Sequence, residues 1–345
     1  MRVFHLSHND LDGYSAQLVV KRFFDQTHCF NSSYGAEVTA KLAMIESAIE
    51  GFSRFYAKEE KLLLITDLNI TREECKLAQS IAKRQDASLQ LLDHHKSGEK
   101  QADEFKWYFL DIDRSATKIT FDWCLERAPK REMADDALFT EYVECVNVYD
   151  LWKVDEVKRF EFGKVLNRLL SDAREISQLL FGDKDNDYRL SLLNGAFAFI
   201  DDHRYIELDD QALMIKKRYL SNDKARDTID NLVASFVVDL LLKRRENFTV
   251  HYGEYKGLLT YQIGNSSVIG NKFLTMCEDY HFFMDVNKSG SVSLRANNKL
   301  DVSVMAGKLF NGGGHANAAG GRITGFKEVF TYEQLRDRVK PLLDV

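Results

Sequence analysis

Three apolar runs within the first hundred residues end alike, and this constrains the fold more than any other feature of the chain. "RVFHL" (2–6) leads into His8, Asp10 and Asp12 of "SHNDLDG", "KLLLIT" (61–66) into Asp67, and "SLQLL" (88–92) into Asp93, His94 and His95. Each run has the length of a buried strand. Between them lie helical stretches, about 14–25 and 72–85, the second with Cys75, Leu77, Ala78 and Ile81 on one face. Strand and helix in alternation predict βαβ units and an α/β fold around a parallel sheet. Such a sheet gathers the carboxyl ends of its strands at one edge, where open α/β folds bind ligands. "SATKITFDWCLER" (115–127) and "ALFTEYVECVNVYD" (137–150) read as helices, the second delivering Asp150.

A single Asp after a strand is more often a helix cap than a ligand, and Asp67 ahead of "LNITREE" also suits turn chemistry. Three successive strands ending in Asp or His are not explained by capping, so a metal cleft is the preferred reading. An extended trace through His8, Asp10 and Asp12 would turn all three to one side. The donors are carboxylate-rich, with few imidazoles and no thiolate, which favours manganese, then magnesium. They are too many for one ion with an open position, and two ions about 3.5–4 Å apart under a bridging carboxylate use them better. Such a pair suits phosphoryl displacement by metal-activated water.

Residues 1–190 are expected to form the catalytic domain. The long, charged, helical pattern of 191–246 has no Pro/Gly/Ser linker and reads as a connector. Residues 247–345 are expected to form a smaller α/β domain, with strands in "NFTVHYGEYKGLLTYQI" and a hairpin in "HFFMDVNKSGSVSLRAN". "NGGGHANAAGG" (311–321) follows. Its consecutive glycines, Gly312, Gly313 and Gly314, could form an anion-binding nest beside His315, and the Ala-rich continuation reads as a helix start. Arg295, at the end of a predicted strand, suits bidentate phosphate binding. Tyr149 and Trp152 flank Asp150; base stacking and core packing are both open to them, core packing being preferred.

Lys+Arg 47 against Asp+Glu 53 leaves a net charge of −6, without the basic field needed to grip long duplexes. The longest apolar run, "LVASFVVDLLLKRR", is broken by Asp239 and too short for a membrane span. The start carries no secretory stretch, and five scattered cysteines without CxxC spacing read as reduced packing residues, so a cytoplasmic location is expected.

The motifs "SHNDLDG", "TDLN", "LLDHHKS", "VNVYDLW", "SLRAN" and "GGGHANAAGG", in this order, resemble the DHH superfamily of phosphoesterases, the last two its GGGH-type associated C-terminal domain (RecJ-like and nanoRNase-like members). The resemblance spans residue 5 to about 325. It implies one Mn²⁺ held by His8, Asp10 and Asp67 and a second by Asp12, Asp67, His94 and Asp150, with Co²⁺ also acceptable. It further implies that Asp93 supports the His pair, that His95 lies near the scissile phosphate, and that Arg295, Gly312, Gly313, Gly314 and His315 bind the substrate. "SAT" (115–117) also looks like a family motif, its role either phosphate contact or capping.

The length leaves no room for additional nucleic-acid-binding domains, so the expected partner is a short oligonucleotide or linear dinucleotide (nanoRNA, pGpG), hydrolysed to mononucleotides. A homodimer is compatible with this. The alternatives are a 3′-phosphoadenosine 5′-phosphate phosphatase and, in another class, a catalytically silent nucleotide sensor.

Overall fold

The computed structural model describes residues 1–127, 136–221 and 226–344. Strands and helices alternate from the start: β1 (Arg2–His8), α1 (Leu11–Phe23), β2 (Thr27–Ser32), α2 (Ala36–Ser53), β3 (Lys61–Thr66), α3 (Arg72–Arg84), β4 (Ser88–Asp93), α4 (Glu99–Glu104) and β5 (Tyr108–Leu110). Helices follow: α5 (Ala116–Arg127), α6 (Ala137–Asp150), α7 (Val157–Ser171), α8 (Gln178–Ala196), α9 (Tyr205–Leu220) and α10 (Ile229–Lys243). The chain then forms β6 (Thr249–Tyr252), β7 (Tyr255–Tyr261), α11 (Ser266–Met276), β8 (Phe282–Val286), β9 (Ser291–Ala296), α12 (Val302–Phe310), β10 (Gly313–His315), β11 (Ala318–Arg322) and α13 (Tyr332–Leu343). Among the described residues, no helix is long and apolar enough to cross a membrane.

The chain divides into two compact units, one of residues 1–173 and 186–212, the other of 174–185 and 213–345. The first holds a five-stranded sheet in the order β2-β1-β3-β4-β5, parallel throughout. Alternate strand residues Phe4, Leu6, Leu63, Ile65 and Leu91 pack against Val38, Leu42 and Ile45 of α2 and Cys75, Ala78 and Ile81 of α3. The residues between them, Val3, Leu64 and Leu92, are buried as well. Both faces are therefore covered, which is why these strands read as continuous apolar runs rather than alternating ones. The order reverses between β1 and β3, the kind of point at which open α/β sheets bind ligands outside the carboxyl ends of their strands.

The second unit holds a six-stranded mixed sheet, β10-β11-β9-β8-β7-β6, in which only β7 and β8 run parallel. The five cysteines are buried and free of disulfides.

Three expectations need correction. His8, Asp10 and Asp12 do not share an extended trace, because the strand ends at His8 and α1 starts at Leu11, with Asp10 as its N-cap. The Ala-rich run after His315 is strand β11, not a helix start; a glycine-rich segment flanked by a partner strand gains more from pairing than from a one-turn helix. Trp152 is not a core residue but 67% exposed. Two strands carry no such expectation: β2, whose sequence is interrupted by polar residues, and β5, which is three residues long.

Candidate metal centre

Asp10, the N-cap of α1, accepts from the Gly13 N–H at 3.0 Å, which seats the first turn directly on the end of β1. Gly13 makes this approach possible: a Cβ there would fall 2.2 Å from the His8 carbonyl oxygen. Asp12, one residue into α1, turns inward and is buried. Its two carboxylate oxygens accept from the Ala116 and Thr117 N–H groups at 2.6 and 2.8 Å, and its carbonyl from Thr117 Oγ1. The "SAT" segment is thus the amino end of α5, clamped on Asp12 in a capping role.

Asp67 follows β3 with φ 56°, a left-handed backbone that Asp tolerates better than most residues, and its N–H donates to Leu92 O at 3.0 Å. That conformation sets its carboxylate between two imidazoles. Oδ1 is 3.3 Å from His94 Nε2 and Oδ2 is 3.8 Å from His8 Nδ1. His8 Nδ1 also lies 2.7 Å from Asp10 Oδ2. His94 Nε2 is 3.7 Å from Asp12 and 3.4 Å from Asp150, which the last turn of α6 presents. The ligand atoms of His8, Asp10 and Asp67, and those of Asp12, His94 and Asp150, each fall within 4.8 Å of one another. Asp67, His94 and His95 form a further such group.

The electrostatics explain what this cluster lacks. Burial, then the neighbouring Asp10, Asp12 and Asp150 charges, pushes Asp67 well above the usual carboxylate range. Burial and the charges of Asp12 and Asp10 lift Asp150 to about 9. Asp12 is raised mainly by burial, against the opposing pull of His94 and Thr117. Asp10 is also desolvated, but its contacts with His8 outweigh this and hold it at about 2. Asp67 Oδ2 and Asp150 Oδ2 are buried with no hydrogen-bond donor. Crowded carboxylates with vacant lone pairs and too little positive charge fit divalent cations, whose charge would reverse these shifts.

His95 has a different environment. Its Nδ1 is 2.7 Å from Asp93 Oδ1, and Tyr108 Oη donates to Asp93 Oδ2 at 2.5 Å. The Asp93 bond raises the His95 pKa despite partial burial. Tyr34 bonds His95 Nε2 at 3.2 Å and lies 5.1 Å from the His8 ring. Below the ligands, Ser7 Oγ bonds Thr66 Oγ1 at 2.7 Å and donates to Gly13 O. Asn31, held by Asn186, donates to the His8 carbonyl at 3.0 Å. Sequence reasoning assigned no role to Ser7, although it opens "SHNDLDG", and missed Tyr34, Tyr108, Asn31 and Asn186, which lie outside the quoted motifs. Asn31 had a signal of its own, since it lies at the carboxyl end of the overlooked β2, one residue before Ser32.

In the second unit, His315 pairs with Ala318 and Ala318 with Arg295. Residues opposite one another share a sheet face, so His315 and Arg295 lie on one face two strands apart, about 10 Å. Arg295 donates to Leu294 O and Ser267 Oγ. Gly312, Gly313, Gly314 and His315 are exposed. Two of these glycines have a packing reason, because a Cβ on Gly312 would lie 1.9 Å from Gly320 O and one on Gly314 2.6 Å from Ala318 O.

No family model matches the chain. It is 38% identical over 352 residues to a 3′,5′-cyclic-nucleotide phosphodiesterase of Helicobacter pylori, covering 100% of this chain and 99% of that protein. It is 27% identical over 358 residues to oligoribonuclease NrnB of Bacillus subtilis, covering 98% of this chain and 78% of the other. A crystal structure of an uncharacterized protein from Helicobacter pylori G27 superposes with a TM-score of 0.91 at 37% identity, over 100% of this chain and 99% of that one. With the acidic and imidazole motifs seated at one sheet edge and a phosphodiesterase similar from end to end, the chain belongs to the DHH superfamily of phosphoesterases, and it is a phosphoric ester hydrolase.

Proposed function

We propose that this chain is a metal-dependent phosphodiesterase that hydrolyses short oligonucleotides or linear dinucleotides such as pGpG to mononucleotides. The observation carrying this reading is the pair of ligand groups on either side of Asp67, at the point where the strand order reverses. His8, Asp10 and Asp67 would hold one ion, and Asp12, Asp67, His94 and Asp150 a second, manganese being preferred for a carboxylate-rich set with imidazoles. Bound there, divalent metal supplies Lewis-acid polarisation of the phosphoryl oxygens and a water nucleophile at neutral pH.

The chain's own groups contribute orientation and proton control. Asp93 fixes the His95 ring through Nδ1 and shifts its pKa upward, favouring the protonated imidazole. The opposite nitrogen, now bonded to Tyr34, would then donate to a phosphate oxygen once substrate displaces that hydroxyl. Arg295 and His315, on one face of the second sheet, are proposed contacts for the nucleotide, with Gly312, Gly313 and Gly314 giving its phosphates access to backbone N–H groups. The Helicobacter pylori relative favours a second reading within the same chemistry, hydrolysis of 3′,5′-cyclic mononucleotides.

A product-resolved assay decides among these. Protein with Mn²⁺ is expected to convert pGpG and a 5′-labelled trinucleotide to mononucleotides, and EDTA to abolish turnover. Faster turnover of a cyclic mononucleotide would establish the second reading. Consumption of 3′-phosphoadenosine 5′-phosphate alone would make the protein a phosphomonoesterase, and binding without turnover a sensor.

A further inference from the structure

Helix α6, which presents Asp150, ends in an unusual way. The Trp152 N–H donates to Tyr149 O at 3.0 Å and the Lys153 N–H to Val148 O at 2.9 Å. These two bonds make a Schellman turn, whose first residue beyond the cap takes a left-handed backbone and is usually glycine. Here that residue is Trp152, at φ 56°. A bulky side chain in this region is an outlier, and the turn itself needs none. The indole is also 67% exposed, although a buried tryptophan contributes more apolar area than almost any other side chain.

The position therefore carries two local penalties, strain and exposure, that the fold does not require. It lies two residues from Asp150, whose Oδ2 is 3.4 Å from His94. The ring is held rather than loose. Phe160 meets it edge-on at 5.1 Å and 88°, and Tyr149 stands at 5.9 Å. Gly163 brings α7 so close to α6 that a Cβ there would fall 2.4 Å from Tyr149 Cβ. Penalties kept at a rigid surface position beside a cluster of functional groups are the mark of a residue retained for binding.

We infer that Trp152 is a substrate-contact residue that stacks on the nucleobase adjoining the phosphate bound at the acidic cluster. The inference rests on the nucleotide reading above. A nucleotide places a flat aromatic group a short sugar's length from its phosphate, and an indole accepts the face of any base. Trp152 would thus favour nucleotides over other phosphate esters without selecting among bases.

The test uses the full chain and the variant Trp152→Gly, which suits the left-handed turn and is expected to match or exceed the wild type in thermal stability. The indole nitrogens of Trp107 and Trp123 are buried, so quenching by added ligand reports mainly on Trp152. GMP is expected to quench the wild type and not the variant, while ribose 5-phosphate quenches neither. Base stacking measured by truncation corresponds to a rise in KM for pGpG of roughly 5- to 150-fold, with kcat little changed. Equal quenching by ribose 5-phosphate, or a KM within twofold of wild type, would overturn the inference. So would a changed molecular mass with an unchanged KM, which would assign Trp152 to a contact between copies of the chain. GMP-specific quenching in a protein that hydrolyses no nucleotide diester would support the base contact while refuting the proposed reaction.

Discussion

At the scale of single residues, the site turns on Asp67. Its left-handed backbone and its place between His8 and His94 make it, among the described residues, the one carboxylate within 4 Å of both imidazoles. Asp67→Asn keeps the backbone preference, since Asn tolerates that region, and removes the charge. Loss of groups that merely support metal ligands costs about 10–100-fold, so this change is expected to lower kcat by more than that; a near-normal rate would rule out a shared role for Asp67. A second carboxyl, Asp285, lies in the core of the other unit. Burial lifts it to about 7, against hydrogen bonds from Thr260 Oγ1 and the Ile263 N–H that pull it down. The folded state therefore holds a proton that the unfolded chain, with a carboxyl near 3.8, has released. Stability from this group is complete below pH 3.8 and is lost as pH rises through about 7. Asp285→Asn should flatten that part of the profile, so the variant's stability relative to wild type rises between pH 4 and pH 8 in urea melts. A constant difference across the window would show that Asp285 does not titrate there.

At the scale of elements, the ligands were legible because strands buried on both faces are uninterrupted apolar runs, and the first polar residues after them stand out. The elements' own corners were not legible. Asp10 as a cap, Asp67 at positive φ and Asp12 under the amino end of α5 depend on which backbone groups meet in space. Residue spacing alone does not encode those meetings. The same limit explains the misread "HANAAGG": strand β11 forms because β9 and β10 flank it, a circumstance set by tertiary pairing. Gly13 makes the point testable. Gly13→Ala would drive a methyl into the His8 carbonyl, costing about 1–3 kcal/mol by overpacking and moving His8 away from Asp67. Gly51→Ala, in a helix position where a Cβ meets nothing within 4 Å, should instead add roughly 0.5–1 kcal/mol. Thermal melts of the two variants should move in opposite directions and only Gly13→Ala should lose activity; equal effects would discount the tight β1–α1 joint.

At the scale of the whole molecule, four aspartates gathered with two histidines crowd the metal-free protein with mutually repelling carboxyl groups, and Asp67 and Asp150 are pushed toward the protonated form that a bound cation would displace. Mn²⁺ should therefore raise the melting temperature, with about 2.7 kcal/mol of stabilisation at a hundredfold excess over Kd. EDTA should reverse the rise, and Asp67→Asn should blunt it; a melting temperature indifferent to Mn²⁺ would count against the metal centre. The division of the chain has a consequence of its own. Residues 174–185 and 213–345 form one unit while 186–212 belong to the other, and Ser177 donates within the former to Tyr261 O at 2.6 Å. During synthesis, then, the first unit cannot close until residue 212 has emerged, and the earliest piece of the second must wait for strands made more than sixty positions later. The order in which the ribosome delivers this chain is interleaved, not sequential, so neither unit can be obtained by cutting it once.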